Sequence, residues 1–111
     1  MKYLLIILTF FLLGCTFDNN YRDVTYEVYS THPIFDVSYL SYSGNVVSTR
    51  VYSYEWRVSF PVDPAGPGIL IVKGDTVIHA IQARIYYDNK LLIEQIKEDS
   101  IPYIEMHVKL N

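Results

Sequence analysis

Three histidines are the side chains in this sequence best suited to binding a metal ion. His32, His79 and His107 are spread across the chain. Metal ligands recur at short, regular spacings, because one strand or one helix then presents two of them to the same ion. None of these histidines has another histidine two or four residues away, and no carboxylate repeats beside them. We therefore expect surface or core roles for all three, with no metal site and no cofactor.

Acidic and hydroxyl side chains are the other candidates for catalysis. Glycoside hydrolysis needs two carboxyl groups that face each other across a cleft. The sequence has no Gly-x-Ser-x-Gly motif and no glycine-rich phosphate-binding loop. The acids in apolar-alternating segments fall at positions that should point to solvent, namely Glu27, Asp36, Glu55, Glu94 and Glu105. The sequence thus predicts no catalytic residue and a protein that is not an enzyme.

The only cysteine of the chain lies in a more specific setting. An apolar run from Tyr3 to Leu13 follows a basic start at Lys2 and ends just before Cys15. A transmembrane helix needs about 20 apolar residues, so this run is short for a span and typical of a signal peptide. An uncut membrane anchor and simple secretion with an incidental cysteine are the alternatives.

The residues around this cysteine resemble a bacterial lipobox. Leu12 is the aliphatic residue three positions before Cys15, and Gly14 is the small residue directly before it. A small residue permits cleavage by the signal peptidase between Gly14 and Cys15. The thiol of Cys15 then carries a diacylglycerol group. Each buried CH₂ of an acyl chain contributes about 0.8 kcal/mol, so two or three chains would hold the protein on a membrane.

This interpretation divides the chain into three parts. Residues 1–14 are a lipoprotein signal peptide, residues 15–22 are the lipidated cysteine and a polar tether, and residues 23–111 are the domain. The expected location is the bacterial cell envelope, outside the cytoplasm and anchored by lipid. Thr16 rather than Asp follows the cysteine, which favours the outer membrane in a Gram-negative host.

Composition limits the domain to one small, all-β unit. The chain has 111 residues, which is enough for a single core. A net charge of −3 argues against nucleic acid as a partner, because phosphate binding needs a basic surface. The 11 tyrosines favour strands, whose half-buried surfaces accommodate aromatic side chains.

Alternation of apolar and polar residues predicts seven or eight strands in the domain. The run 46–62 is too long for one strand, so we expect a bend near 49–51 or two strands. The Pro/Gly-rich segment 63–68 is predicted to be a loop without strand pairing. Asp88-Asn89 predicts a two-residue hairpin turn, with one helical turn over 90–99 as the alternative. Predicted strand segments are 23–30, 34–42, 46–62, 69–72, 76–87, 90–97 and 103–110. An antiparallel, immunoglobulin-like β-sandwich is the expected fold.

Two groups of aromatic residues are candidates for the core or for binding. The first group has its side chains on one face of the predicted strand: Tyr52, Tyr54, Trp56 and Phe60. This placement favours packing in the core over an exposed surface for stacking. The residues of a second group lie at outward-facing strand positions or at strand ends. If their side chains lie close together, they would form an exposed binding face. This group consists of Tyr29, Tyr42, Tyr86 and Tyr87.

Five short segments occur in an order that is known from other proteins. They are Tyr26-Glu27-Val28, Val37-Ser38-Tyr39 before Ser43-Gly44, Trp56 to Phe60, Lys73-Gly74-Asp75, and Ala83 to Leu91. This order resembles the small domain of the MmpS family (mycobacterial membrane protein small) and similar short bacterial lipoproteins, over about residues 24–95. The resemblance implies an immunoglobulin-like envelope domain held at a membrane by its N-terminus, and in the mycobacterial members a role beside a large export transporter. This chain has Asn89 in place of the family's Gly, and a lipobox in place of the uncut helix of the mycobacterial members.

These observations favour a lipid-anchored, non-enzymatic interaction or accessory module of the bacterial envelope. Its expected partners are the membrane, through the acyl chains on Cys15, and an envelope protein. One alternative is a lipoprotein that binds a glycan or a small apolar ligand on an exposed tyrosine-rich face. Another is a lipoprotein that inhibits an enzyme.

Overall fold

The computed structural model describes residues 22–62 and 66–110 and contains eight β-strands in that part of the chain. Each strand consists of residues that alternate between a core-facing and an outward-facing side, as a pleated backbone requires. The strands are β1 (Arg22–Ser30), β2 (Phe35–Leu40), β3 (Val46–Val51), β4 (Glu55–Val62), β5 (Pro67–Gly74), β6 (His79–Tyr87), β7 (Lys90–Asp99) and β8 (Tyr103–Lys109).

The strands form two four-stranded sheets that pack face to face. Sheet A has the order β4-β1-β6-β7, and sheet B has the order β3-β2-β5-β8. Every pairing within the two sheets is antiparallel. The predicted all-β, antiparallel sandwich is therefore confirmed.

The core lies between the sheets and is built from one parity of each inner strand. Val24, Tyr26 and Val28 of β1 face Leu70 and Val72 of β5 across the interior, and all five are at most 1% exposed. Burial of one such side chain contributes about 1.5–3 kcal/mol relative to exposure. The other large side chains that are fully buried are Phe35, Val37, Ile81, Ile85, Ile104, Met106 and Leu110.

Sheet A places the N-terminal strand in its interior. β1 pairs with β4 on one side, where Glu27 lies opposite Arg57. On the other side it pairs with β6, where Glu27 lies opposite Arg84. Because β4 and β6 lie far along the sequence from β1, this register joins three distant segments and determines which outward side chains meet.

The run 46–62 forms two strands, which confirms one of the two predicted alternatives, and the break between them lies beyond the expected bend near 49–51. β3 continues through Val51 in sheet B, and β4 begins at Glu55 in sheet A. The short connection between them crosses from one sheet to the other, and Ser30 N–H donates to the carbonyl of Tyr54 at 2.8 Å. Apolar and polar residues continue to alternate across this break, so the sequence pattern does not show where the first strand ends.

The prediction that segment 63–68 makes no strand pairing is wrong at its end. Pro67 and Gly68 begin β5 and lie opposite Lys109 and Val108 of β8. Proline is acceptable there because it is the first residue of the strand. β5 gains its second neighbour, β2, only from Leu70 onward.

The predicted hairpin at Asp88-Asn89 is confirmed. The two residues have φ values of 52° and 63°. Two successive positive φ angles are typical of a type I′ turn, whose twist matches that of the flanking strands. The alternative, one helical turn over 90–99, is wrong because β7 occupies that segment.

Gly74, from the predicted Lys73-Gly74-Asp75 turn, ends β5 where the two sheets approach closely. A Cβ atom at this position would lie 2.4 Å from His79 Nε2 and 2.8 Å from Pro102 Cδ. Gly74 N–H also donates to the carbonyl of Pro102 at 2.7 Å. Only glycine therefore lets the His79 ring pack against this backbone.

Candidate functional site

The outer face of sheet A carries a row of alternating charges that crosses all four strands. The row runs from Arg57 of β4 through Glu27 of β1 and Arg84 of β6 to Glu94 of β7. Arg57 Nε lies 3.7 Å from Glu27 Oε2, and Arg84 Nη1 lies 3.9 Å from Glu27 Oε1. Arg84 Nε donates to Glu94 Oε2. Each charge thus has an opposite charge beside it.

Glu27 at the centre of this row is buried although it points out of the sandwich. The residue is only 8% exposed. Its Oε1 atom has no hydrogen-bond partner, since the Arg84 guanidinium is within ion-pair distance but not in hydrogen-bonding geometry. A carboxylate removed from water is tolerated only when cations compensate it. The two arginines provide that compensation by covering Glu27.

Arg84 connects the charges to an aromatic side chain. Its guanidinium carbon lies 5.9 Å from the centre of the Tyr29 ring, within the range of a cation–π contact. The hydrogen bond to Glu94 raises the pKa of Arg84 above its ordinary value. The guanidinium therefore stays charged and is held between two carboxylates and a ring.

Three open depressions surround the charge row. One of about 300 Å³ is lined by Tyr29, Glu55, Trp56 and Arg57. A second, of about 260 Å³, lies between the Arg57 side chain and Tyr86. A third, of about 210 Å³, lies between Tyr29 and Ile96. Enclosed ligand pockets are typically 300–1,000 Å³, so this face offers broad shallow contact rather than a deep cavity.

The four tyrosines predicted as a binding face do not lie on one surface. Tyr29 and Tyr86 are both on the outer face of sheet A, on β1 and β6. Tyr87 faces the core and is 5% exposed. Tyr42 lies in the connection between β2 and β3, where its ring is 6.5 Å from that of Phe60. Only Tyr29 and Tyr86 therefore belong to this site.

The predicted core series from Tyr52 to Phe60 divides into two parts. Trp56, Val58 and Phe60 pack against the core from β4. Tyr52 and Tyr54 lie in the β3–β4 connection and are 73% and 59% exposed. Assigning these two tyrosines to the core is wrong, because the chain crosses between the sheets there instead of continuing a strand.

The three histidines contact side-chain or backbone groups of the protein. Among residues 22–62 and 66–110, no group of three or more His, Cys, Asp or Glu side chains is arranged to hold a metal ion. His32 Nε2 lies 3.1 Å from Asp75 Oδ2, and His107 Nε2 lies 3.1 Å from Glu105 Oε2. His79 Nδ1 contacts the carbonyl of Val77 at 2.6 Å.

The connection between β5 and β6 contains one carboxyl with an altered pKa. The backbone N–H of Thr76 and the side chain of His32 lower the pKa of Asp75. These contacts fix the loop conformation at the end of the sandwich that also holds His79. They give His32 and Asp75 a structural role.

Glu27 is the residue of the charge row whose exposure the sequence predicts wrongly. Its outward parity was read correctly, but a solvent-exposed side chain was expected. The side chains that cover it come from β4 and β6, and only the register brings Arg57 and Arg84 beside it. The sequence does show one acid and two arginines in three separate strand segments. The alternation of apolar and polar residues does not specify strand register, so it cannot predict that the three side chains meet.

The predicted lipidation residues, Gly14 and Cys15, lie outside the described residues. Within the described part of the chain, no helix is long and apolar enough to cross a membrane. No protein-family model matches the chain, and no curated protein matches it significantly.

Proposed function

We propose that this protein is a lipid-anchored, non-enzymatic interaction module of the bacterial cell envelope. Acyl chains on Cys15 attach it to the membrane, and the outer face of sheet A binds an envelope protein. The lipobox-like residues Leu12 to Cys15 support the anchor. A transporter-associated role, as implied by the resemblance to the MmpS family, stays a prediction.

The observation that carries the proposed binding face is the burial of Glu27 between the two arginines of the charge row. Exposed ion pairs in water contribute little to stability, whereas charges that complement those of a partner across an interface give orientation and specificity. Arg57 is largely free to contact a partner, because its side chain is 67% exposed while it still neighbours Glu27. Tyrosine and arginine are also the residues that most often dominate binding energy at protein interfaces.

A flat face of this kind suits a protein partner better than a small ligand. Its depressions are open and partly polar, and Tyr29 borders two of them. The Trp56 ring packs against Tyr39, with 5.3 Å between the ring centres. The depression beside it offers the Tyr29 side chain together with Glu55 and Arg57. Those groups favour a glycan as the second candidate ligand, because sugar rings stack on aromatic side chains and donate hydrogen bonds to carboxylates.

Photo-cross-linking in intact cells tests the binding face. A photoreactive aromatic amino acid replaces Tyr29, or replaces Tyr103 on the outer face of sheet B as the control. The two tyrosines are similarly accessible, at 39% and 46% exposed. We expect a discrete cross-linked envelope protein from position 29 only, and its loss when Arg57→Glu is added. Equal cross-linking from both positions, or none from position 29, contradicts the proposal.

Metabolic labelling with an alkyne fatty acid tests the anchor separately. We expect the wild-type chain to incorporate the label and Cys15→Ala to lose it, while Thr16→Ala keeps it. Labelling is the readout because an uncleaved signal peptide could hold Cys15→Ala in the membrane without any acyl chain. Equal labelling of wild type and Cys15→Ala would show that Cys15 is not the acylated residue.

A further inference from the structure

The sandwich has four edge strands, and these differ in how their free backbone groups are protected. β4 and β7 are the edges of sheet A, and β3 and β8 are the edges of sheet B. An edge strand presents unpaired N–H and C=O groups that can add a strand from another chain. Proline, bulges, core-facing charges and covering elements are the usual protections.

Two of the four edges carry such a protection. β4 contains Pro61, which has no N–H to donate. β7 has a register shift opposite Ile85/Tyr86, and its Lys97 lies on the core-facing parity opposite Ile81. These two edges are poor templates for a further strand. β8 has two charged residues, against one in β3, and charges along an edge also disfavour pairing.

β3 has none of these protections in the part of the chain that the structure describes. Its sequence is VVSTRV, without proline, and its pairing with β2 is regular over all six residues. Its core-facing positions are uncharged: Val47, Thr49 and Val51. Val46 and Val47 are nevertheless 61% and 38% exposed. This strand thus combines strong β-propensity with an open edge.

The hydrogen bond that closes the β2–β3 turn determines which backbone groups are free. Ser41 N–H donates to the carbonyl of Asn45 at 2.8 Å, so these residues are a hydrogen-bonded pair. Bonded and non-bonded pairs alternate along an antiparallel ladder. Val47, Thr49 and Val51 therefore bond to β2, and Val46, Ser48 and Arg50 direct their backbone groups away from it.

We infer that β3 pairs with β3 of a second copy of this chain, antiparallel and centred on Ser48. In this register Ser48 lies opposite Ser48, and Val46 lies opposite Arg50 of the other copy. All three outward-directed residues then exchange both backbone hydrogen bonds with the partner strand. The sheet B strands of the two copies form one continuous sheet.

Charge also favours a second copy of this chain as the partner of β3. Arg50 is the only charged residue of β3, and Asp36 of the same chain holds it at 3.0 Å. No like charges therefore meet in the paired strands. On the core-facing side Val47 lies opposite Thr49, so both copies cover the β-branched side chains that sheet A leaves exposed. The outer face of sheet A stays free, so this inference is independent of the proposed binding face.

Disulfide trapping of the full chain tests the pairing. Two cysteines at position 48 would have Cα atoms about 5.5 Å apart across the symmetry axis, which suits a disulfide. We expect Ser48→Cys to give a covalent homodimer under mild oxidation. Ser38→Cys is the matched control, because Ser38 lies one strand inward and its hydroxyl is 2.8 Å from that of Ser48. The wild-type chain gives the background from Cys15.

Charge variants at position 46 test the register. Val46→Glu faces Arg50 of the other copy and should lower the dimer dissociation constant about 2- to 10-fold, whereas Val46→Lys should raise it similarly. Sedimentation of the detergent-solubilised full chain measures both. Equal trapping by Ser38→Cys and Ser48→Cys, trapping of a different protein, or a monomer at every concentration overturns the inference.

Discussion

The two outer faces of the sandwich use similar polar residues but expose them very differently. On sheet A, Glu27 is 8% exposed and lies between two guanidiniums. On sheet B, Glu105 has a side chain that is 47% exposed, and its contacts are His107 and Tyr103 of its own strand. The Arg50–Asp36 pair of sheet B is likewise about half exposed.

For the two glutamates, the difference follows from strand position. Glu27 lies on an interior strand, so long side chains from β4 and β6 cover it from both sides. Glu105 lies on the edge strand β8, where its cross-strand neighbour is Ile71. Interior position alone does not bury an outward acid, because Asp36 of the interior strand β2 also lies between two long side chains, Arg50 and Lys73, yet its side chain is 44% exposed.

Charge reversal at Glu27 and at Glu105 should give the largest difference in stability between the two faces. Glu27→Lys places a third cation beside Arg57 and Arg84 at a position that is only 8% exposed. We expect a loss of roughly 3–5 kcal/mol in the free energy of unfolding, as when a buried charge loses its partner. Urea denaturation followed by circular dichroism measures the loss.

Glu105→Lys is the matched control on sheet B. Its side chain extends into water, so we expect an unfolding midpoint close to that of the wild-type domain. Similar midpoints for the two variants would mean that the Glu27 environment is no more desolvated than an ordinary strand surface.

Hydroxyl deletion should give a smaller contrast between the faces. Thr25 and Ser59 share a hydrogen bond at 3.0 Å on sheet A, and Thr25 is 7% exposed. Ser59→Ala leaves the buried Thr25 hydroxyl without this partner and should cost about 1 kcal/mol. Ser48→Ala removes the exposed 2.8 Å bond to Ser38 and should cost less than about 0.5 kcal/mol, because water replaces it. Thermal unfolding of both variants checks the order, and the reverse order would contradict it.

The smallest effect should be on the pH dependence of stability, through the acid Glu105 of sheet B. The hydrogen bond from Tyr103, followed by that from His107, lowers the pKa of Glu105 below its usual 4.5. The ionised carboxylate therefore favours the folded state above pH 4.5, and this contribution is lost as the pH falls through the lowered value. Glu105→Gln should weaken the decline in urea midpoint between about pH 7 and about pH 3, and Tyr103→Phe should reproduce part of that change. An unchanged decline in both variants would remove Glu105 from the acid response.

Most strands could be predicted from the sequence because their signals are local. Alternation identified β1 and β8 closely, and Asp88-Asn89 identified the β6–β7 turn. The β3–β4 break was placed too early, since Tyr52 and Tyr54 continue the alternation across a change of sheet. The start of β5 was missed because Pro67 pairs on one side only.

The candidate site could be predicted only in part because it depends on register. Tyr29 and Tyr86 were identified by their parity, but Tyr87 lies opposite Val24 in the core. The alignment of Glu27 with Arg57 and Arg84 joins strands that are far apart in sequence. No local pattern specifies which residue of β4 or β6 will lie opposite a given residue of β1.

The interior position of β1 also governs the order in which the molecule can fold. β1 is made first, yet its two neighbours are β4 and β6, and Val24 pairs with Tyr87 near the end of the chain. Such long-range contacts make folding slow, because the intervening segment must be closed into a loop before they form. Sheet A therefore cannot assemble until most of the polypeptide has emerged. β1 therefore stays without its two sheet partners until β4 and β6 have been made.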